Sequence, residues 1–158
     1  MADQPILEAL IDRALELDEA FGAGAIHTFL ITYESARQGA SGDPAVRSRR
    51  HFDRAVEITK GQAASPYVSL AEAVSLAKQD KAEFEKLLGQ AVAIDPNSKP
   101  EWRLENMIMQ NRARWLLGRV PDLFLGAPPD TLLRLDSDAK TLERGWSRKT
   151  TDRSDGRF

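Results

Sequence analysis

The stretch RAVEITK at residues 54–60 decides the fold, because it returns in altered form as RALELDE at 13–19 and QAVAIDP at 90–96. Laid over one another, the three place Ala14, Ala55 and Ala91 in one column and Ile11, Phe52 and Leu88 in the column three residues earlier. A small alanine lets two helices approach, and the larger residue one turn back fills the gap beside it. The alanines stand 41 and 36 residues apart, close to the 34-residue period of repeats built from helix pairs, with the first excess falling in the loop 39–42.

Working outward, helix punctuation recurs and strand signals do not. Residues 4–18 open on Pro5 and run toward Gly22; 24–38 carry Ala25, Ile26, Phe29, Tyr33 and Ala36 as one apolar stripe. Asp43 and Pro44 form an N-cap and first-turn proline for a helix that ends at Gly61. Ser65 and Pro66 repeat the device for 66–78, where Tyr67, Leu70, Ala71, Val74 and Ala77 face one way. Asp80 and Glu83 have capping-box spacing for 80–95, and Pro100 starts 100–118, followed by a short turn at 121–125. The expected fold is all-α: tetratricopeptide-like antiparallel helix pairs stacked as an α-solenoid over 1–125, then a tail. Residues 4–18 read as the second helix of an incomplete first repeat, with a partner expected upstream of Met1 or a second copy capping it. The tail, 126–158, holds an amphipathic stretch around Leu132, Leu133 and Leu135 and a lone Trp146, and is expected to be partly disordered or arm-like beyond Thr141.

Composition narrows the function. The chain has 158 residues, with 22 Lys and Arg against 24 Asp and Glu, a net charge of -2, which argues against a nucleic-acid binder. It has no cysteine, so disulfides, thiolate metal sites and a cysteine nucleophile are excluded, and two histidines cannot make an all-His metal site. No apolar run is long enough for a signal peptide core or a membrane span. Phosphate-binding glycine loops and hydrolase elbows are absent. The reading is therefore a non-enzyme with no cofactor and no metal.

Candidate site residues are polar groups on otherwise apolar helices. His27 and Glu34 lie on the face of 24–38 opposite the Phe29 stripe, about 10.5 Å apart along the axis, too far to share a metal ion. They read either as a hydrogen-bonded helix interface or as polar lining of the concave wall that first helices of repeat pairs build. On that wall Tyr33, Tyr67 and Glu72 are further ligand candidates, the tyrosines also suiting the core. Within 100–118, Leu104, Met107, Ile108 and Trp115 make one stripe and Trp102, Met109, Ala113 and Leu116 a second nearly opposite, so this helix is expected to be sandwiched. Asn111 falls in the first stripe and Asn106 in the second; each either bonds backbone at a helix crossing or orients a ligand or subunit. Arg103, Arg112 and Arg114 project between the stripes, as a solvated face, as ion-pair partners of a neighbouring helix, or as carboxylate readers. Arg47, Arg49, Arg50 and Arg54 with Lys60, against Asp53 and Glu57, give 44–60 a net charge of +3, modest enough for a solvated face or an acidic partner.

Three longer stretches carry a family resemblance: RALELDEAFGAGAIHTFLITYESAR (13–37), RRHFDRAVEITKGQAASPYVSLAEAVSLAKQDKAEFEKLLGQAVAIDP (49–96) and RLENMIMQNRARWLL (103–117). Over about 5–125 the sequence resembles the T-component family of TRAP transporters, with AIHTFLI, KGQAASPYVSLAE, KQDKAEFEKLL and NRARWLL specific in combination. The resemblance implies a periplasmic, often lipid-anchored helical-repeat protein. It also implies a homotrimer that partners a periplasmic solute-binding protein importing small, often carboxylate or hydrophobic, ligands. Against that pattern the sequence has no leader, no lipid-attachment cysteine and no N-terminal half, and it continues after Leu125. The expected function is a non-catalytic scaffold of a TRAP system that docks the binding protein and shelters its ligand. The alternative is a cytoplasmic tetratricopeptide-like peptide adaptor unconnected with transport, and an enzyme using His27 and Glu34 ranks third.

Overall fold

A computed structural model describes residues 3–124, and every regular element among them is helical. The elements are α1 (Gln4–Asp18), α2 (Phe21–Ala36), α3 (Pro44–Thr59), α4 (Ser65–Leu70) continued by a π-helical turn (Ala71–Ser75), α5 (Lys81–Ala93), a 3-10 turn (Pro100–Trp102), α6 (Arg103–Gly118) and α7 (Val120–Leu123). The expected features of the tail, Leu132, Leu133, Leu135 and Trp146 among them, lie outside the described residues.

The predicted punctuation operates at two helix starts. Asp43 accepts the Ala45 N–H at 2.8 Å and Asp80 accepts the Glu83 N–H at 2.9 Å, each satisfying a first-turn donor that the helix leaves unpaired. Ser65 differs: α4 starts on it, and its hydroxyl donates to Glu105 of α6. The backbone before α4 is held from α6 as well, where Asn106 accepts the Ala64 N–H at 2.8 Å and donates to the Gln62 carbonyl at 2.9 Å. The expected regular helix over 66–78 is also corrected. After Leu70 the backbone widens into i→i+5 bonding, Leu76 N–H to Ala71 and Asp80 N–H to Ser75 at 2.9 Å, so Ser75 is buried and Ala77 is exposed.

The main core lies where α4, α5, α6 and α7 meet, joining Leu70, Val74, Phe84, Leu88, Ala91, Ala113 and Leu116. Phe124, just past α7, closes it edge-on against Phe84 at 5.0 Å. Ala55 and Ala91, both in the repeat column, are fully buried, whereas Ala14 is half-buried because α1 buries no residue completely. α2 packs along α3, and α4 packs on both α2 and α5.

The face assigned to α2 is reversed. Its buried residues are Ala23, Gly24, His27, Leu30, Ile31 and Glu34, while Phe29, placed in the packing stripe, is 49% exposed. The helix is apolar on nearly every side, so apolar periodicity could not choose a face; polar partners on α3 chose it. Between α1 and the regular part of α2, Gly22, Ala23 and Gly24 all take left-handed backbone with φ of 56°, 60° and 73°, a conformation that suits the two glycines and strains the alanine. The expected sandwich around α6 is half present. Ala113 and Leu116 are buried, but Leu104, Met107, Ile108 and Trp115 are exposed, since α7 folds onto the inner side.

Candidate functional site: a polar seam between two helices and the groove beside it

The buried face of α2 meets a stripe of α3 at 47, 51 and 54, spaced four and three apart and so on one side of the helix. Glu34, almost wholly buried, receives Arg47 Nε at 2.6 Å and Arg37 Nη1 at 2.9 Å. Arg47 also donates to the backbone carbonyls of Glu34, Ser41 and Gly42, which ties the 39–42 loop to the seam. Burial pushes the Glu34 carboxyl up, and the hydrogen bonds from Arg47 and Arg37 more than offset it, leaving it below the usual glutamate value. Two turns earlier His27 Nδ1 lies 2.9 Å from His51 Nδ1, and its Nε2 lies 2.9 Å from the Glu19 carboxylate. Glu19 is clasped by Arg54 at 2.6 and 2.7 Å; the Arg54 hydrogen bonds, then that from His27, bring its carboxyl down to about 2.

The same residues fasten α1. Glu8 accepts the Tyr33 hydroxyl at 2.8 Å and pairs with Arg37 at 2.8 Å, and Glu19 follows directly on α1's last turn. Burial and the bond to Glu8 raise the Tyr33 phenol above its ordinary value. On the far side of Tyr33, α1 and α2 enclose an open, mainly apolar groove of about 1140 Å³, lined by Leu7, Thr28, Phe29, Thr32 and Tyr33 and reaching Ser69 of α4. Phe29 and Tyr33 stack there at 5.8 Å.

Of the residues singled out in the sequence, His27, Tyr33 and Glu34 come together here. The other four do not. Tyr67 is in the core, edge-on to Phe52 at 5.4 Å, and burial raises its phenol above the usual value. Glu72 pairs with Arg112 of α6 at 2.5 Å. Asn106 is spent on the backbone before α4, and Asn111 is exposed, accepting from Arg114 at 3.1 Å. Residues that sequence reasoning missed are Glu8, Glu19, Arg37 and His51. In the sequence Arg47 and Arg54 read as surface charge, although their spacing with His51 matches the His27 and Glu34 stripe. Gln110 was missed also; buried, it donates to the Ile94 carbonyl at 2.5 Å at the end of α5. Among the described residues no three His, Asp or Glu side chains converge to hold a metal ion, and no helix is long and apolar enough to cross a membrane.

The model of the family described as the TRAP transporter T-component matches residues 1–124, which takes in every described residue and the whole seam. The chain belongs to the TRAP transporter T-component family. It is also similar to an uncharacterized protein of Treponema pallidum (strain Nichols), with 28% identity over 116 residues. Those residues are 73% of this T-component chain and 36% of that relative, so the chain spans little more than a third of the relative's length.

Proposed function

We propose that this chain is a non-catalytic scaffold of a TRAP system that docks a periplasmic solute-binding protein and shelters its small ligand in passing. The observation that carries the reading is the family match over all of 1–124. Two features of the seam support it. The charges of the seam are paired within it, Glu34 with Arg47 and Arg37, and Glu19 with Arg54. The groove beside them offers an apolar floor of Leu7, Phe29 and Tyr33 suited to passive shelter. In this reading the helix pairs stack antiparallel as a tetratricopeptide-like α-solenoid, the copies assemble as a homotrimer, and the protein works in the periplasm. The exposed row Leu104, Met107, Ile108 and Trp115 on α6 is apolar surface available to such an assembly.

Light scattering on the purified chain, followed by co-elution with a TRAP solute-binding protein, tests this. A trimer that retains the binding protein is expected. A monomer that ignores it, yet captures extended peptides, would replace the reading with the peptide adaptor.

A further inference from the structure

Side chains from three elements meet where α1, α2 and α3 converge, and their contacts fix a proton count. Glu19, ionised under Arg54, can only accept, so its 2.9 Å contact with His27 Nε2 has the histidine donating. That leaves His27 Nδ1 to face His51 Nδ1 at 2.9 Å. Two ring nitrogens this close share one proton, one carrying it and the other presenting a lone pair. If the proton sits on His51 Nδ1, His27 is neutral and His51 is neutral or, with its Nε2 also protonated, a cation; if it sits on His27, that ring is a cation and His51, protonated on Nε2 alone, is neutral. A doubly cationic pair would set two N–H groups head to head in the same gap. The arrangement therefore holds at most one positive charge.

The surroundings give a second proton a destination. His51 is half-buried and borders a cavity of about 260 Å³ whose other charged or titratable walls are Glu8 and Asp12 of α1, and Tyr33, Glu34 and Arg37 of α2. From α3, Arg47 is spent on Glu34 and Arg54 on Glu19. Glu8 is taken by Arg37 and Tyr33; Asp12 has no side-chain partner among the described residues. Next to this cavity α1 buries no residue completely, and it joins α2 through the left-handed Gly22, Ala23 and Gly24.

We infer that His27 and His51 form a proton-operated latch, closed while the pair carries at most one positive charge and opened by a second proton, which turns His51 toward Asp12 and loosens α1. Burial, and then the proximity of His27, hold the His51 imidazole below its ordinary value, while Glu34 pulls it up. A base so depressed is bound neutral in the folded state. The latch's contribution to stability is thus complete above the ordinary imidazole value of about 6.5 and fades as pH falls from there through the lower folded value.

The chain has only two histidines, so 15N NMR of its imidazoles on the full chain tests this directly. Two resolved steps are expected, the second accompanied by faster amide exchange in α1 and at Gly22, Ala23 and Gly24. In H51Q the remaining ring should titrate in a single step, and the acid-linked exchange in α1 should disappear. One superimposed step for both wild-type rings, or unchanged α1 exchange across the second step, would overturn the latch. So would an H51Q protein that keeps the acid-linked exchange. If H51Q does not fold, the wild-type steps and exchange decide alone.

Discussion

The seam between α2 and α3 and the junction between α5 and α6 each hold a fully buried alanine that the sequence aligns, Ala55 and Ala91, yet they are held by different physics. At the α5–α6 junction the alanine, Ala91, belongs to the core with Phe84, Leu88, Ala113 and Leu116, and its buried polar member, Gln110, bonds only to backbone. At the α2–α3 seam the alanine, Ala55, sits beside a row of ion pairs and imidazoles reaching from Arg47 to Arg54. Both alanines are fully buried, and what fills the space around them differs. An apolar junction resists opening by area removed from water. A charged seam resists because each buried charge, once its partner leaves, is stranded.

Substitutions break the two regions in different ways. Truncation of Phe84→Ala, fully buried against Phe124, is expected to cost about 4 kcal/mol in urea unfolding. That loss should be flat with pH between 5 and 8, since no charge is touched. Glu34→Ala strands Arg47 and is expected to cost about 3 kcal/mol. Its signature is pH. Wild-type Glu34 is held below the ordinary glutamate value, so its stabilisation is present above that value and lost as pH falls through the folded one. The gap between wild type and E34A should therefore close in acid, and a gap that stays constant would show that Glu34 acts by packing. The smallest effect is expected from Arg112→Ala. Its pair with Glu72 joins an exposed arginine to a partly exposed carboxylate, and loss of the pair should change stability by at most about 0.5 kcal/mol, diminishing with salt. A change above 1 kcal/mol would mean that this bridge, which joins α6 to the π-helical turn, is coupled to the core.

The parts legible in the sequence were local or periodic. Asp43, Asp80 and the prolines mark helix starts because a first-turn N–H needs an acceptor within two or three residues, which sequence spacing records. Ser65 misled because its hydroxyl found Glu105 forty residues away, while Asn106 supplied the backbone contact instead. For the site, His27 and Glu34 stand out in the sequence and read either as a hydrogen-bonded helix interface or as polar lining, but nothing in the pattern of α2 names their partners on α1 and α3. The arginines of α3 were tallied as net charge, and a tally discards the phase that made Arg47, His51 and Arg54 one stripe. Glu8 and Glu19 carried no signal at all, being two acids among several on an amphipathic helix.

Sequence alone determined that this chain is helical, where most helices begin, and that its phrases are those of a TRAP T-component, because these are properties of neighbours along the chain. Which side of α2 is buried, which side of α6 is bare, and that two histidines 24 residues apart share a proton were settled only by tertiary structure. A helix's own pattern supplies its phase, but the depth at which a polar group can sit depends on the partner that another helix brings to it.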